Sequence, residues 1–333
     1  MKTIKLLDCT LRDGGYINNW NFGIEGKKEI LKSLTNSHID IIECGLLTCD
    51  KNISSEQTLY NSLAQVNNII PNNKAEYTVM VNYGTVDINK FPQNQSNIEI
   101  RLAFKPHEID NAINYSKELI QKGYIISLNP MHTSIYSMQE LKKLLNKSND
   151  IMPRCITVVD TMGIMTKNDT KNIFNILDKY TDNQIALGFH SHNNMNLSFK
   201  NTQTLLEMNL DRCIIIDSCL SGMGRGAGIL STQDIAEYIN QYYNKEYSTE
   251  QLNQIANKYI EPLKHLWKSK DTYYLSAKNK CHPNYAKDII DNMNILCNDN
   301  KIIDMLLKRI PEKNKILYDK TIIPRLIKEL QNV

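Results

Sequence analysis

The stretch IKLLDCTLRDGGYINNW, residues 4–20, begins as a short apolar run and passes at once into Arg12, Asp13 and two glycines. An apolar run that ends in a charged pair and then glycine reads as a β-strand delivering polar groups at its C-terminal end. Seven more runs of the same kind follow: IDIIEC (39–44), YTVMV (77–81), IEIRLAF (98–104), YIISLN (124–129), CITVVD (155–160), IALGFH (185–190) and CIIIDS (213–218). Amphipathic segments such as EIDNAINYSKELIQKG (108–123) and NDTKNIFNILDKYT (168–181) fill the gaps. Near-continuous apolar strands alternating with helices imply a parallel sheet covered on both faces. Eight such units over residues 1–244 predict an α/β fold of the (β/α)8 TIM-barrel type, with a doubly wound open sheet as the alternative.

Beyond residue 244 the strand-like runs stop. The remaining segments, TEQLNQIANKYIEPLKHLW (249–267), NYAKDIIDNMNIL (284–296), KIIDMLLKRI (301–310) and DKTIIPRLIKEL (319–330), read as helices. No Gly/Ser-rich or Pro-rich linker precedes them, so 245–333 is expected to be a small helical C-terminal extension packed on the barrel. The apolar stripe IIDMLL (302–307) would pack on the barrel or on a second copy of the chain, which makes a homodimer one expectation.

A formal net charge of +3 over 333 residues is too small to argue for nucleic acid or an anionic membrane. No run approaches the length of a membrane span, and the N-terminus has no long apolar core of a signal peptide. Eight cysteines, at 9, 44, 49, 155, 213, 219, 281 and 297, form no C-x-x-C pair. Reduced, mostly buried thiols and a cytoplasmic location are expected.

In a barrel of this type, function collects where the strands end. Those ends carry Arg12 and Asp13, Glu43, Asn82–Tyr83, Lys105–Pro106–His107, Asn129–Pro130–Met131–His132, Asp160–Thr161, His190–Ser191–His192 and Asp217–Ser218. In a strand, residues two apart share a side, so His190 and His192 would face one space. Converging neutral imidazoles are good metal ligands. Asp13 stands on a strand separated from theirs by only one other in a closed barrel, and can complete a set of three. The segment SGMGRGAG (221–228), with Gly224 and Gly226, is either a backbone cradle for a substrate anion or a tight turn beside the metal site. His132 and His282 are candidates for proton transfer, with tyrosines such as Tyr285 behind them.

The run CTLRDGG (9–15), the HSH (190–192) after the seventh strand and the glycine-rich loop after the eighth resemble the DRE-TIM metallolyase superfamily, the HMG-CoA lyase-like enzymes. Within it, RDGGY, GFHSHNN, GRGAG and HPNYA (282–286) are most similar to the 4-hydroxy-2-oxovalerate aldolase branch and its "aldolase catalytic domain" proteins. The resemblance covers about residues 4–240 and implies a role for each matching position. Asp13, His190 and His192 would hold a divalent cation, with Mn2+ favoured by mixed nitrogen and oxygen ligands and Mg2+, Co2+ or Zn2+ as alternatives. Arg12 would stabilise the enolate oxygen of a 2-oxo acid such as pyruvate. Glu43 would orient substrate or its neighbours, and Asp160 and Thr161 would line the substrate pocket.

Two positions depart from the family pattern. The aldolases keep a proton-transferring histidine three residues after the aspartate, where this chain has Tyr16. A phenol is a weaker proton acceptor than an imidazole at neutral pH. The base is therefore Tyr16, His132, His282, Tyr285 or a water. Lyases and synthases of the superfamily often place an asparagine ligand where this chain has Ile229, which cannot coordinate. The resemblance implies an aldolase or lyase that takes a small 2-oxo acid and an aldehyde. The alternatives are a Claisen-type acyl-CoA condensing enzyme, a barrel that has lost efficient catalysis and, ranked last, a non-haem iron oxygenase.

Overall fold

A computed structural model describes residues 2–50, 52–71, 75–93, 97–267, 271–292 and 299–331. Cys297 and residues 293–296 of the second predicted tail helix lie outside these. Nine parallel-paired strands form one sheet: β1 Thr3–Asp8, β2 Ile41–Leu47, β3 Leu59–Tyr60, β4 Glu76–Asn82, β5 Glu99–Phe104, β6 Ile126–Pro130, β7 Cys155–Asp160, β8 Ala186–Ser191 and β9 Cys213–Ser218. The sheet runs β1-β9-β8-β7-β6-β5-β4-β2, and β1 pairs with β2 through Leu7–Ile41 and Asp8–Ile42. That pairing closes eight strands into a barrel and excludes the open sheet.

The eight predicted strands are all present, two of them with the predicted ends and the others with ends shifted by at most three residues. The two-residue β3 is additional and pairs with the end of β2 through Leu46–Leu59 and Leu47–Tyr60. The register of β2 against β4 shifts between Glu43 and Leu46. Gly45 makes this possible. Its φ is 148°, and a Cβ there would overlap the Thr58 carbonyl.

Helices cover the barrel's outside. Helix Ile109–Gln121 buries Ile109, Ala112, Ile113, Ser116 and Leu119, a spacing of three and four that forms one face against the sheet. Ser137 and Thr166 cap the helices Met138–Ile151 and Lys167–Tyr180, each in a reciprocal box with the acidic residue three positions on. Among the described residues no helix is long and apolar enough to cross a membrane. Seven described cysteines are free thiols, five of them buried.

The tail is helical among the described residues and has its own apolar cluster. Ile303, Leu306 and Leu307 of the IIDMLL stripe bury against Ile289, Ile323 and Leu326. That part of the stripe is covered within the tail rather than by the barrel.

The glycines after Asp13 act differently from a sharp turn. Residues Thr10–Asp13 and Gly15–Asn18 are short helical turns, and Gly14 has ordinary helical angles. Close approach explains them. A Cβ on Gly14 would lie 2.5 Å from the Thr10 carbonyl oxygen, and one on Gly15 would overlap the Trp20 indole. Gly15→Ala is expected to push Trp20 off its T-shaped contact with Tyr16 (4.6 Å). Overpacking of this kind costs about 1–3 kcal/mol. Chemical denaturation followed by tryptophan fluorescence reads it; an unchanged midpoint would mean that Trp20 has room to move.

Candidate active site

The strands and the turn after β1 deliver a closed circuit of buried charge. Arg12 Nε donates to Glu43 Oε2 at 2.6 Å, and Glu43 Oε1 accepts from Arg101 NH1 at 3.1 Å. Arg101 NH2 donates to Asp217 Oδ2 at 2.6 Å, and that oxygen lies 3.0 Å from His190 Nδ1. His190 Nε2 lies 2.9 Å from Asp13 Oδ2, which accepts from Arg12 NH1 at 3.0 Å. Six side chains thus form one ring, each touching two others, and all are at most 3% exposed.

This burial is tolerable because every charge meets its opposite. Burial alone would lower the Arg12 pKa, but Glu43 and Asp13 outweigh it and hold the guanidinium well above its ordinary value. Burial alone would raise that of Asp13; Arg12 and the two histidines hold its carboxyl well below the usual range. Asp217 is likewise lowered against burial, by Arg101 and His190.

His192 stands beside the ring, its imidazole centre 5.1 Å from that of His190. Its Nδ1 lies 3.3 Å from the Arg225 carbonyl oxygen, while Nε2 is buried without a hydrogen-bond partner. Burial pushes this imidazole down to about 3, so it is neutral. The ligand atoms of Asp13, His190 and His192 all lie within 4.8 Å of one another. A buried, unpartnered imidazole nitrogen facing a carboxylate and a second imidazole fits a divalent cation. The neighbours of the triad fit too, because Asp217 can take the second ring N–H of His190 and the Arg225 carbonyl that of His192.

Ile229 adds no fourth ligand. It is 2% exposed, and its backbone bridges to His192. Gly224 and Gly226 do not line the cavity. A Cβ on Gly224 would lie 3.0 Å from Ile229 Cγ2 and 3.6 Å from Asp13 Oδ1, and one on Gly226 would overlap the Asn194 amide. At both glycines the loop packs closely against the triad and its neighbours.

A cavity of about 540 Å3 opens over the ring. Arg12, Tyr16, Thr161, His132, His190 and His282 line it, so six of the sequence candidates meet there. Tyr16 lies under the Arg225 guanidinium at 4.4 Å. Thr161 Oγ1 accepts the backbone N–H of His132 at 2.8 Å and fixes that loop. Burial, with Arg225 and Lys105 adding to it, lowers His132 to about 4; burial, Arg225 and His132 lower His282 to about 3. Both imidazoles are neutral at neutral pH. Their centres lie 5.9 Å apart.

Three candidates stand elsewhere. Glu43 lies behind Arg12 and does not line the cavity. Asp160 turns away, its carboxylate accepting the backbone N–H groups of Ile164 (3.1 Å) and Met165 (3.0 Å). Tyr285 is buried in the tail cluster, where its hydroxyl donates to the Asn314 carbonyl at 2.8 Å and accepts from the Asp319 N–H at 2.9 Å. Inspection of strand ends passed over Arg101 altogether. Its signal was present, since a lone arginine inside the apolar run IEIRLAF needs a buried counter-charge.

Residues 3–258 match the model of the HMGL-like family. The chain is similar to 4-hydroxy-2-oxovalerate aldolase 2 of Comamonas testosteroni, 25% identical over 68% of this chain and 65% of that one. It is also similar to the oxaloacetate decarboxylase of Mycobacterium tuberculosis, 22% identical over 67% and 66%. The chain thus spans about two thirds of the length of these relatives. Among solved structures it resembles the N-terminal domain of a putative aldolase from Bacteroides vulgatus, with a TM-score of 0.71, 27% identity and coverage of 88% of this chain and 99% of that one. Since the match takes in every strand of the barrel and all six members of the charge ring, this chain belongs to the HMGL-like family.

Proposed function

We propose that the protein is a divalent-metal-dependent carbon–carbon lyase of the aldolase type that makes or cleaves the bond next to a 2-oxo acid. The triad of Asp13, His190 and His192 beneath the Arg12 guanidinium carries this reading. The triad would hold the cation, with Mn2+ favoured over Mg2+ by two nitrogen ligands and one oxygen. Bound there, the cation would supply a Lewis acid that polarises the carbonyl of the 2-oxo acid. The similarity to the Comamonas aldolase supports the reaction class.

The protein's own groups divide the remaining work. In cleavage, the 4-hydroxyl of a 4-hydroxy-2-oxo acid loses its proton and the C3–C4 bond breaks. The electron pair stays on the 2-oxo fragment as an enolate, which takes up a proton to become pyruvate; the other fragment leaves as an aldehyde. Arg12, held by Glu43 and Asp13, keeps a fixed positive charge where the enolate oxygen develops. The cavity also offers two different histidines. His282 Nδ1 accepts the Asn284 N–H at 3.2 Å, so its neutral ring carries its proton on Nε2 and is a donor. His132 Nδ1 is buried and unpartnered and so is free to accept a proton, and we assign it that role in place of the family's histidine.

The test is exchange of the pyruvate methyl protons with deuterium, followed by mass spectrometry, with Mn2+, Mg2+, Co2+ and Zn2+ in turn. Exchange is expected with at least one ion and is abolished by chelation. His192→Ala should lose both bound metal and exchange. Failure of exchange with all four ions would reject the reading.

A further inference from the structure

The cavity over the metal triad is larger, and more positive, than a 2-oxo acid and a short aliphatic aldehyde require. At about 540 Å3 it equals the liquid volume of about 18 water molecules. Pyruvate with a two-carbon aldehyde fills a fraction of that. The outer part has room for a larger acceptor.

Charge says what kind of group that is. Three cations line the cavity: Arg12, Arg225 and Lys105. The ring already compensates Arg12, through Glu43 and Asp13. The other two are less well compensated, although Arg225 also stacks over the Tyr16 ring at 4.4 Å. The nearest carboxylate oxygen to Arg225 is Asp13 Oδ1, 4.0 Å from Nε, and that buried Nε makes no hydrogen bond. Lys105 Nζ is exposed, with no ion-pair partner among the described residues. The one acid on the outer wall, Glu108, accepts the backbone N–H of Lys105 at 2.7 Å through Oε2 and lies 3.9 Å from His107 through Oε1. Arg225, Lys105 and His132 line the same cavity, and both cations are near enough to His132 to lower its pKa. His282 adds its Nε2–H to the same wall.

Unmet acceptors point to hydroxyl groups. Asn129 is 2% exposed and lines the cavity, and its Oδ1 has no partner; His132, 6% exposed, has an unpartnered Nδ1. A buried acceptor left bare is costly, so each calls for a hydroxyl from the cavity.

We propose that the aldehyde half of the substrate is a hydroxylated aldehyde bearing a terminal anion, phosphate or carboxylate, held between Arg225 and Lys105. Its hydroxyls face Asn129 and its carbonyl faces the triad. This rests on the aldolase reading above, but the anion subsite can be tested without turnover.

Calorimetric titration of the full chain loaded with Mn2+ uses glycerol 3-phosphate, glycerate and glycerol as probes. At least one anion should bind, and glycerol should bind about 10- to 100-fold more weakly, the worth of one charge-assisted contact. Lys105→Ala should remove about tenfold of the anion's affinity, and Lys105→Arg should restore it. A second arm pairs pyruvate with glyceraldehyde, glyceraldehyde 3-phosphate and succinic semialdehyde. The better of the two anionic aldehydes identifies the terminal group, and Lys105→Ala should lower the charged-to-neutral ratio of kcat/KM. Equal binding of all three probes, or anion affinity indifferent to Lys105→Ala, overturns the proposal. Methyl exchange without charge preference would leave the aldolase reading standing and the subsite refuted. Lys105-dependent anion binding without any methyl exchange would do the reverse.

Discussion

Arg12→Lys is expected to slow metal-supported exchange of the pyruvate methyl protons by on the order of 10²–10³, the usual cost of removing one donor from a developing oxyanion. The guanidinium makes two directed bonds, Nε to Glu43 and NH1 to Asp13, and still lines the cavity. A lysine ammonium is a single point on a flexible stem and cannot hold both carboxylates while presenting a fixed charge to the substrate. Because the enolate charge is absent from the ground state, the loss should fall on kcat rather than KM. Metal content, measured by elemental analysis, separates this effect from damage to the triad. A loss of less than about tenfold with the metal retained would remove Arg12 from the chemistry.

Arg101→Leu should be the most damaging single change to stability. It takes Arg101 away from Glu43 Oε1 and leaves Asp217 Oδ2 with His190 Nδ1 alone, both within residues that are at most 1% exposed. Removing one partner of such a pair costs about 3–5 kcal/mol, because the remaining charge has no solvent to turn to. The expected fall in Tm is on the order of 10 °C. Arg101 does not line the cavity, so it acts by positioning its neighbours. Arg101→Lys should recover part of the loss, since one cation returns without the two-pronged geometry. A shift below about 2 °C for the leucine variant would show that water or a proton replaces the arginine at little cost.

The barrel was readable because parallel strands buried on both faces leave long apolar runs, and eight of these recur at helix-sized intervals. The two residues of β3 carry no such pattern; they pair because Gly45 bends β2 towards them. The convergence of Asp13, His190 and His192 was legible from the alternation of HSH and from the place of Asp13 after the first strand. The ring behind it was not. Asp217 showed as a strand end, but Arg101 sits mid-strand, and only the closed barrel brings it to both Asp217 and Glu43. The need for glycine at 14 and 15 was not legible, because it comes from groups that crowd them in space: the Thr10 carbonyl and Met223 at Gly14, the Trp20 ring at Gly15. Asp160 and Tyr285 carried polar groups in suggestive places, and each satisfies them on its own local backbone instead. Nothing local in a sequence distinguishes an aspartate that caps its own loop from one that meets a substrate.

One wall of the cavity has a different origin from the rest. His282, Asn284, Leu317 and Tyr318 come from the chain's last stretch, beyond residue 258 where the family match stops. The ring and triad belong to the shared barrel, while part of the surface facing the far end of the substrate belongs to this appendage. The two come from different parts of the chain and can be varied separately. Under the aldolase proposal, substitutions at Leu317 or Tyr318 should alter the choice of acceptor while leaving every member of the charge ring in place. Grafting tails between barrels of this family is therefore a direct route to altered acceptor choice.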